Sequence, residues 1–221
     1  MGRKRLVRYA RVDTLPNFVR VGIAGKAPFG IDKAWDPSIF AEEQPITLEL
    51  GCGRGEYTLS LARRFPERNF IGIDNKSDRI CVGARQAAEE GLANAAFVKC
   101  QVEHLTFFFP ESCIAEAWIP FPDPHLGQEN GKRRLTSGRF LDIYRRLLIP
   151  SGTVHLKTDD PTLYHFSRES VIGNAAKLLR STDDLYASEY DDAVLREIQT
   201  TYEKRYLAAD KTIKYLSFSF Q

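Results

Sequence analysis

The chain has 221 residues, 43% of them hydrophobic and 27% charged, with a formal net charge of +2. That length suits one domain with an ordinary core, and the composition excludes intrinsic disorder. A membrane-crossing helix needs about 20 consecutive apolar residues, which the chain lacks, and the basic start Met1–Arg5 runs into Arg8, Arg11 and Asp13 where a secretory signal would turn apolar.

In chain order, the first feature is charge. Residues 1–26 hold Arg3, Lys4, Arg5, Arg8, Arg11, Arg20 and Lys26 against Asp13 alone. A second basic group, Lys132-Arg133-Arg134 with Arg139, lies mid-chain. One such run is an ordinary solvated face; two on a nearly neutral chain favour a polyanionic partner. Residues 1–40, with Pro16, Pro28 and Pro37, read as a basic extension, leaving 41–221 as the main domain. Cys52, Cys81, Cys100 and Cys113 are widely spaced with no CxxC pair. Reduced thiols in a cytoplasmic protein are therefore expected, and neither a metal site nor a disulfide scaffold.

From Ile46 onward strand and helix patterns alternate. Ile46–Leu50 predicts a strand, and Glu56–Phe65 a helix with Tyr57, Leu61, Ala62 and Phe65 on one face. Phe70–Ile73, Ala96–Cys100 and Ala115–Phe121 predict strands, and Ser77–Glu90 a helix ended by Gly91. Ser137–Leu148 carries Phe140, Ile143, Tyr144, Leu147 and Leu148 at helical spacing. Pro150-Ser151-Gly152 predicts a turn into a strand Thr153–Lys157, followed by a helix from about Thr162 to Leu179. Leu216, Phe218 and Phe220 alternate with serines, the pattern of a half-exposed strand. The alternation predicts an α/β fold with a largely parallel sheet.

The richest segment is Glu49-Leu50-Gly51-Cys52-Gly53-Arg54-Gly55, where a strand gives way to a helix. Glycines there permit a sharp bend and close approach of a ligand to the backbone. A dinucleotide fingerprint would need glycine where Glu56 stands, and a Walker loop would need Lys-Ser or Lys-Thr. An acid just before the glycines is unhelpful beside a pyrophosphate but suits a cationic ligand. The second strand ends in Asp74, placed to accept from both hydroxyls of a ribose. Together these favour S-adenosylmethionine over NAD. At the tip of a later strand, Phe121-Pro122-Asp123-Pro124 holds a carboxylate in a stiff loop facing the same crevice.

These two motifs, followed in order by Lys132-Arg133-Arg134-Leu135, Thr158-Asp159 and Thr200-Thr201-Tyr202-Glu203, form a set that resembles the bacterial tRNA (guanine-N7)-methyltransferases. The resemblance runs from about Pro45 to the C-terminus. It implies a Rossmann-like class I methyltransferase fold with a mostly parallel seven-stranded sheet, and methyl transfer to a variable-loop guanine of tRNA. It also implies S-adenosylmethionine contacts from Glu49, Gly51, Gly53, Gly55 and Asp74, with Asp123 in the active site near the cofactor. Asp159, Thr200, Thr201, Tyr202 and Glu203 match positions assigned to substrate tRNA. Gln101 stands where the family has a third cofactor acid, and Gly127 where it has a substrate-binding lysine. Phosphate contacts then fall to Lys132, Arg133, Arg134 and the N-terminal arginines. A monomer or weak homodimer is expected.

Guanine N7 carries an in-plane lone pair, so methylating it removes no proton from the nucleophile and needs no general base. His125 is thus expected to stack or to do nothing. Asp123 is expected to stabilise charge arriving on the ring or to accept from the guanine N1–H and N2–H₂ groups, with Asp159 and Glu203 as further acceptors. Two other readings remain open: a methyltransferase on a different acceptor, and a tRNA-binding protein without turnover.

Overall fold

The computed structural model describes residues 14–24, 27–29 and 36–220. Arg3, Lys4, Arg5, Arg8, Arg11 and Lys26 of the N-terminal basic cluster lie outside these residues. The strands are β1 (Phe18–Arg20), β2 (Gly22–Ala24), β3 (Ala27–Phe29), β4 (Ile46–Leu50), β5 (Asn69–Asp74), β6 (Ala95–Lys99), β7 (Ile114–Pro120), β8 (Leu148–Thr158), β9 (Lys177–Thr182) and β10 (Lys214–Ser219). The helices are α1 (Glu56–Arg64), α2 (Ser77–Glu89), α3 (Leu105–Phe108), α4 (Gly138–Leu147), α5 (Pro161–Gly173), α6 (Ala193–Glu197) and α7 (Thr201–Leu207).

Eight strands form one sheet in the order β1-β6-β5-β4-β7-β8-β10-β9, while β2 and β3 pair separately. Neighbours from β1 to β8 run parallel, and β10 runs antiparallel to both β8 and β9. The strand beyond the seven expected is β1, whose Phe18 pairs with Phe97. The sheet thus reaches into the stretch read from sequence as an extension. Strand order reverses beside β4, since β5 and β6 lie to one side and β7 and β8 to the other. Ligands in such sheets collect outside the carboxyl ends of the strands at that reversal.

Both faces of the sheet are covered, and alternate residues feed different cores. Ile71, Ala96, Val98, Ile119, Leu156 and Leu216 pack toward α4 and α5. Phe70, Phe97, Trp118 and Tyr215 pack toward α1 and α2. Helix α4 buries Phe140, Tyr144 and Leu147 of the expected stripe with Ile143 partly buried, while Leu141 joins them unforeseen and Leu148 opens β8 instead. The start of α5 is set by Asp160, whose carboxylate accepts from the Leu163 amide at 2.6 Å with Pro161 in the first turn.

Three expectations require correction. The turn at Pro150 lies within β8, where a register shift carries the pairing from Ile114 opposite Leu148 to Glu116 opposite Thr153. A bulge of this kind accommodates a proline that an unbroken ladder would reject. The helix expected to run to Leu179 ends at Gly173: Ala175 adopts φ 54°, and Leu179 belongs to β9. Finally, β10 is buried along its whole length, because it lies between β8 and β9 under cover on both faces. Its alternation of Leu, Phe and Ser reports two different buried environments, not one wet face.

Candidate active site

Five loops meet at the carboxyl ends of the central strands. After β4 the chain turns through Gly51, Gly53 and Gly55, with φ of 75°, 55° and 74°. The amides of Gly51 and Cys52 both donate to the Ile73 carbonyl at 2.9 Å, which ties this turn to the end of β5. The glycines do different work. A Cβ on Gly53 would meet nothing within 4 Å, whereas one on Gly55 would come within 2.4 Å of the Phe97 ring. Gly53 has open space beside it; Gly55 leaves space for the core.

Asp74, at the tip of β5, braces this turn. Its Oδ2 accepts from the Gly53 amide at 2.9 Å and its Oδ1 from the Lys76 amide at 2.8 Å. Each carboxylate oxygen keeps a second lone pair for a ligand hydroxyl. Glu49 is buried, only 4% exposed, and accepts from the backbone amide of Thr58 at 2.7 Å and from its hydroxyl. Burial raises its pKa to about 8; the Thr58 hydrogen bonds oppose the rise, and the charges of Glu56 and Asp74 add to it. Such a carboxyl gains from a cation in the crevice. Gln101 is exposed just beyond β6. An open glycine cradle, a carboxyl poised to ionise and a braced aspartate fit a cationic ligand that carries a diol.

Asp123 follows β7 and is exposed, its side chain 73% accessible. Its Oδ1 accepts from the His125 amide at 3.0 Å. Phe121 and His125 take φ of 52° and 44°, values that cost a non-glycine residue strain and persist only under outside constraint. Arg134 supplies that constraint at His125, and the Lys157 carbonyl, which accepts from the Phe121 amide, supplies it at Phe121. Arg134 donates through Nε and Nη2 to the carbonyls of Pro124 and His125 at 3.0 and 3.2 Å, and its guanidinium lies over the Phe166 ring. The expectation that Arg134 grips phosphate is therefore corrected: it is 5% exposed and its donors hold the Asp123 loop. Lys132 and Arg133 are exposed. Gly127 sits at φ 94°, a backbone conformation that strains any residue with a side chain, while a Cβ there would meet only the movable end of the exposed Glu129.

The remaining positions divide sharply. Asp159, beyond β8, is paired with Lys211 at 2.7 Å. Thr201 and Tyr202 are exposed, Tyr202 to 51%. Thr200 is buried and its hydroxyl accepts from the Glu203 amide at 3.1 Å, capping α7. Glu203 is fully buried, with Lys157 Nζ at 2.6 Å and the Tyr186 hydroxyl at 2.9 Å on its Oε1. The expected substrate contacts from Thr200 and Glu203 are thus corrected, because both side chains are buried inside the fold: Thr200 caps α7, and Glu203 Oε1 is held by Lys157 and Tyr186 while its buried Oε2 has no hydrogen-bond partner among the described residues. The sequence reading passed over Lys157 and Arg134 as structural cations. A lysine inside the apolar strand Val154-His155-Leu156-Lys157 was the available signal, since a buried ammonium requires a partner.

Among the described residues no helix is long and apolar enough to cross a membrane, and no group of three or more His, Cys, Asp or Glu could hold a metal ion.

A family model described as a putative methyltransferase matches residues 43–216. A tRNA (guanine-N(7)-)-methyltransferase of Porphyromonas gingivalis is 45% identical over 190 residues, covering 86% of this chain and 77% of that protein. One of Christiangramia forsetii is 40% identical over 193 residues, covering 87% and 86%. Among solved structures, the 16S rRNA methyltransferase KamB aligns with a TM-score of 0.62 at 14% identity, covering 89% of this chain and 97% of that one. At that identity the likeness speaks for the fold.

Proposed function

The chain belongs to the tRNA (guanine-N7)-methyltransferase family, and from that premise we propose that it transfers a methyl group from S-adenosylmethionine to N7 of a variable-loop guanine in tRNA. The observation that carries the reading is the group of residues at the carboxyl ends of the strands where the order reverses. It combines Gly53 with open space beside it, Glu49 with a pKa near 8, the braced Asp74, and the exposed Asp123 held by Arg134.

Gly51 and Gly53 would hold the cofactor, Asp74 would accept from its ribose hydroxyls, and Glu49 would face its positive end across the turn. Bound there, S-adenosylmethionine supplies an electrophilic methyl group on a sulfonium, whose bonding pair stays on sulfur as N7 uses its lone pair to form the new bond. No proton leaves N7, so the chain need only orient the base and meet the charge that arrives on it. Asp123 does the second, as an exposed anion in a loop pinned by Arg134. His125 has no proton to remove; its backbone amide instead orients Asp123.

Lys132, Arg133 and the basic residues of the stretch 1–40 contact phosphates, which supply affinity without sequence choice. Thr201 and Tyr202 form the exposed part of the second substrate element, and Asp159 reaches the base edge by sharing its carboxylate with Lys211. The place of action is the cytoplasm, where tRNA and reduced thiols coexist. The test incubates the protein with labelled S-adenosylmethionine and tRNA lacking 7-methylguanosine, then maps the product by reductive cleavage at the modified base. Label at a variable-loop guanine N7 is expected; label at another position or none overturns the assignment.

A further inference from the structure

The segment Leu195–Glu203 is held from two sides. Beneath it, Lys157 Nζ donates to the Leu195 carbonyl at 2.8 Å, the Ile198 carbonyl at 3.4 Å and Glu203 Oε1 at 2.6 Å. An ammonium has three hydrogens, and each finds one acceptor. The backbone of the same lysine works in the other direction. Its carbonyl accepts from the Phe121 amide at 2.8 Å, at the first residue of the loop that carries Asp123. Lys157 also sits opposite Pro120 in the β7–β8 ladder. On the outer side, both oxygens of Glu56 receive Thr201, from its amide and its hydroxyl, at 2.6 Å each. Glu56 opens α1 directly after Gly55.

We propose that Lys157 and Glu56 are positioning residues that hold the strap 195–203 in register with the Asp123 loop and the glycine turn, so that Thr201 and Tyr202 present to tRNA as one surface with Asp123. The proposal rests on the functional reading above for the identity of the ligand. It assigns Glu203 an inward duty: its carboxylate completes the shell of Lys157 and does not touch the base. Burial pushes the Lys157 amine down and the Glu203 carboxyl up, and their mutual attraction opposes both. Removing one partner leaves a buried charge, whereas replacing both with apolar groups of similar volume keeps such a site packed.

The test therefore uses the double variant Lys157→Met with Glu203→Met, and separately Glu56→Ala, which alters a half-buried side chain outside the core and carries the test if the double variant does not fold. In each, amides of 195–207 are expected to exchange with deuterium about tenfold faster while those of β4 and β5 keep their protection. KM for tRNA is expected to rise about tenfold, with the Kd for S-adenosylmethionine by calorimetry within about threefold of the parent. Glu56→Gln, which retains one acceptor oxygen, is expected to fall between. Unchanged exchange in the strap overturns the proposal, as does a loosened strap with an unchanged KM for tRNA. A parent protein that fails to methylate tRNA, in variants whose strap exchange still accelerates, overturns the functional reading and leaves the clamp standing.

Discussion

Glu49 and Thr58 lie nine residues apart and are joined twice, amide and hydroxyl of Thr58 both donating to Glu49 Oε2. The contact locks the end of β4 to the first turn of α1 across the glycine bend, and it leaves Glu49 buried beside the crevice. Its carboxyl, raised to about 8 chiefly by burial, is mostly protonated at neutral pH.

Two consequences follow from that single group. Folding takes up a proton at Glu49, so its contribution to stability is fully present below pH 4.5 and is lost as pH rises toward 8. A cation in the crevice favours the carboxylate, so binding S-adenosylmethionine at pH 6.5 is expected to release a proton and to tighten as pH rises toward 8. Calorimetry in two buffers of different ionisation enthalpy reads the release directly. Glu49→Gln is expected to abolish it, and pH-independent heats in the parent protein would refute the assignment.

The glycine turn sets a glycine with open space beside it next to a packing glycine. Gly55→Ala places a methyl group into the Phe97 ring at positive φ, and overpacking of this kind costs about 1–3 kcal/mol with the strained φ added. Gly53→Ala meets no atom within 4 Å and pays for its φ alone. Thermal unfolding is expected to show the larger loss for Gly55→Ala, and titration calorimetry the larger loss of cofactor affinity for Gly53→Ala once stability is matched. The reverse ranking in either assay contradicts the division.

At the Asp123 loop, Asp123→Ala is expected to lower kcat by about 100-fold, the order found when a preorganised electrostatic partner is removed from a reacting centre. S-adenosylmethionine binding is expected to change little. Arg134→Met removes the donors to the Pro124 and His125 carbonyls and is expected to lower kcat through a relaxed loop while Asp123 remains present. Single-turnover rates with saturating tRNA check both. Parent-like rates in Asp123→Ala remove that carboxylate from the chemistry.

Acid stability is expected to depend on Glu116. Burial acts to raise its pKa, yet the hydrogen bond and charge of His155, with the charge of Arg68, outweigh burial and leave it at about 2. His155 Nε2 lies 3.0 Å from Glu116 Oε1, its ring stacks on Trp118 at 4.1 Å, and its Nδ1 meets the Tyr215 hydroxyl at 2.8 Å. A depressed carboxyl contributes stability above its unfolded value of 4.5, and that contribution is lost as pH falls toward 2. Denaturant unfolding between pH 6 and pH 3 is expected to show the loss, and Glu116→Gln to flatten the curve. An equally steep curve in the variant would place the acid sensitivity elsewhere.

Much of the frame was legible from local pattern. The strands Ile46–Leu50 and Phe70–Ile73, the helix after the glycines and the stripe of α4 appear where periodicity put them, because each buries its own apolar face whatever its neighbours are. Position 175 defeated that logic. Gly173-Asn174 is a local stop signal that the apolar spacing through Leu179 masked, and Leu178 and Arg180 are claimed by pairing with β10, nearly forty residues on.

The sequence by itself determined the topology of the crevice: strands alternating with helices bring Gly53, Asp74, Gln101, Asp123 and Asp159 to one edge, since every parallel strand ends on the same side. It could not tell which charges face that edge. Arg134 and Glu203 share residue types with Arg133 and Glu56, yet the first two are buried and the last two reach solvent or a surface contact. Only the tertiary structure decides this, because a charge is retained inside when the folded chain brings it enough partners to replace water: the Pro124 and His125 carbonyls reach Arg134 from the preceding loop, and those of Leu195 and Ile198 reach Lys157 from about forty residues on.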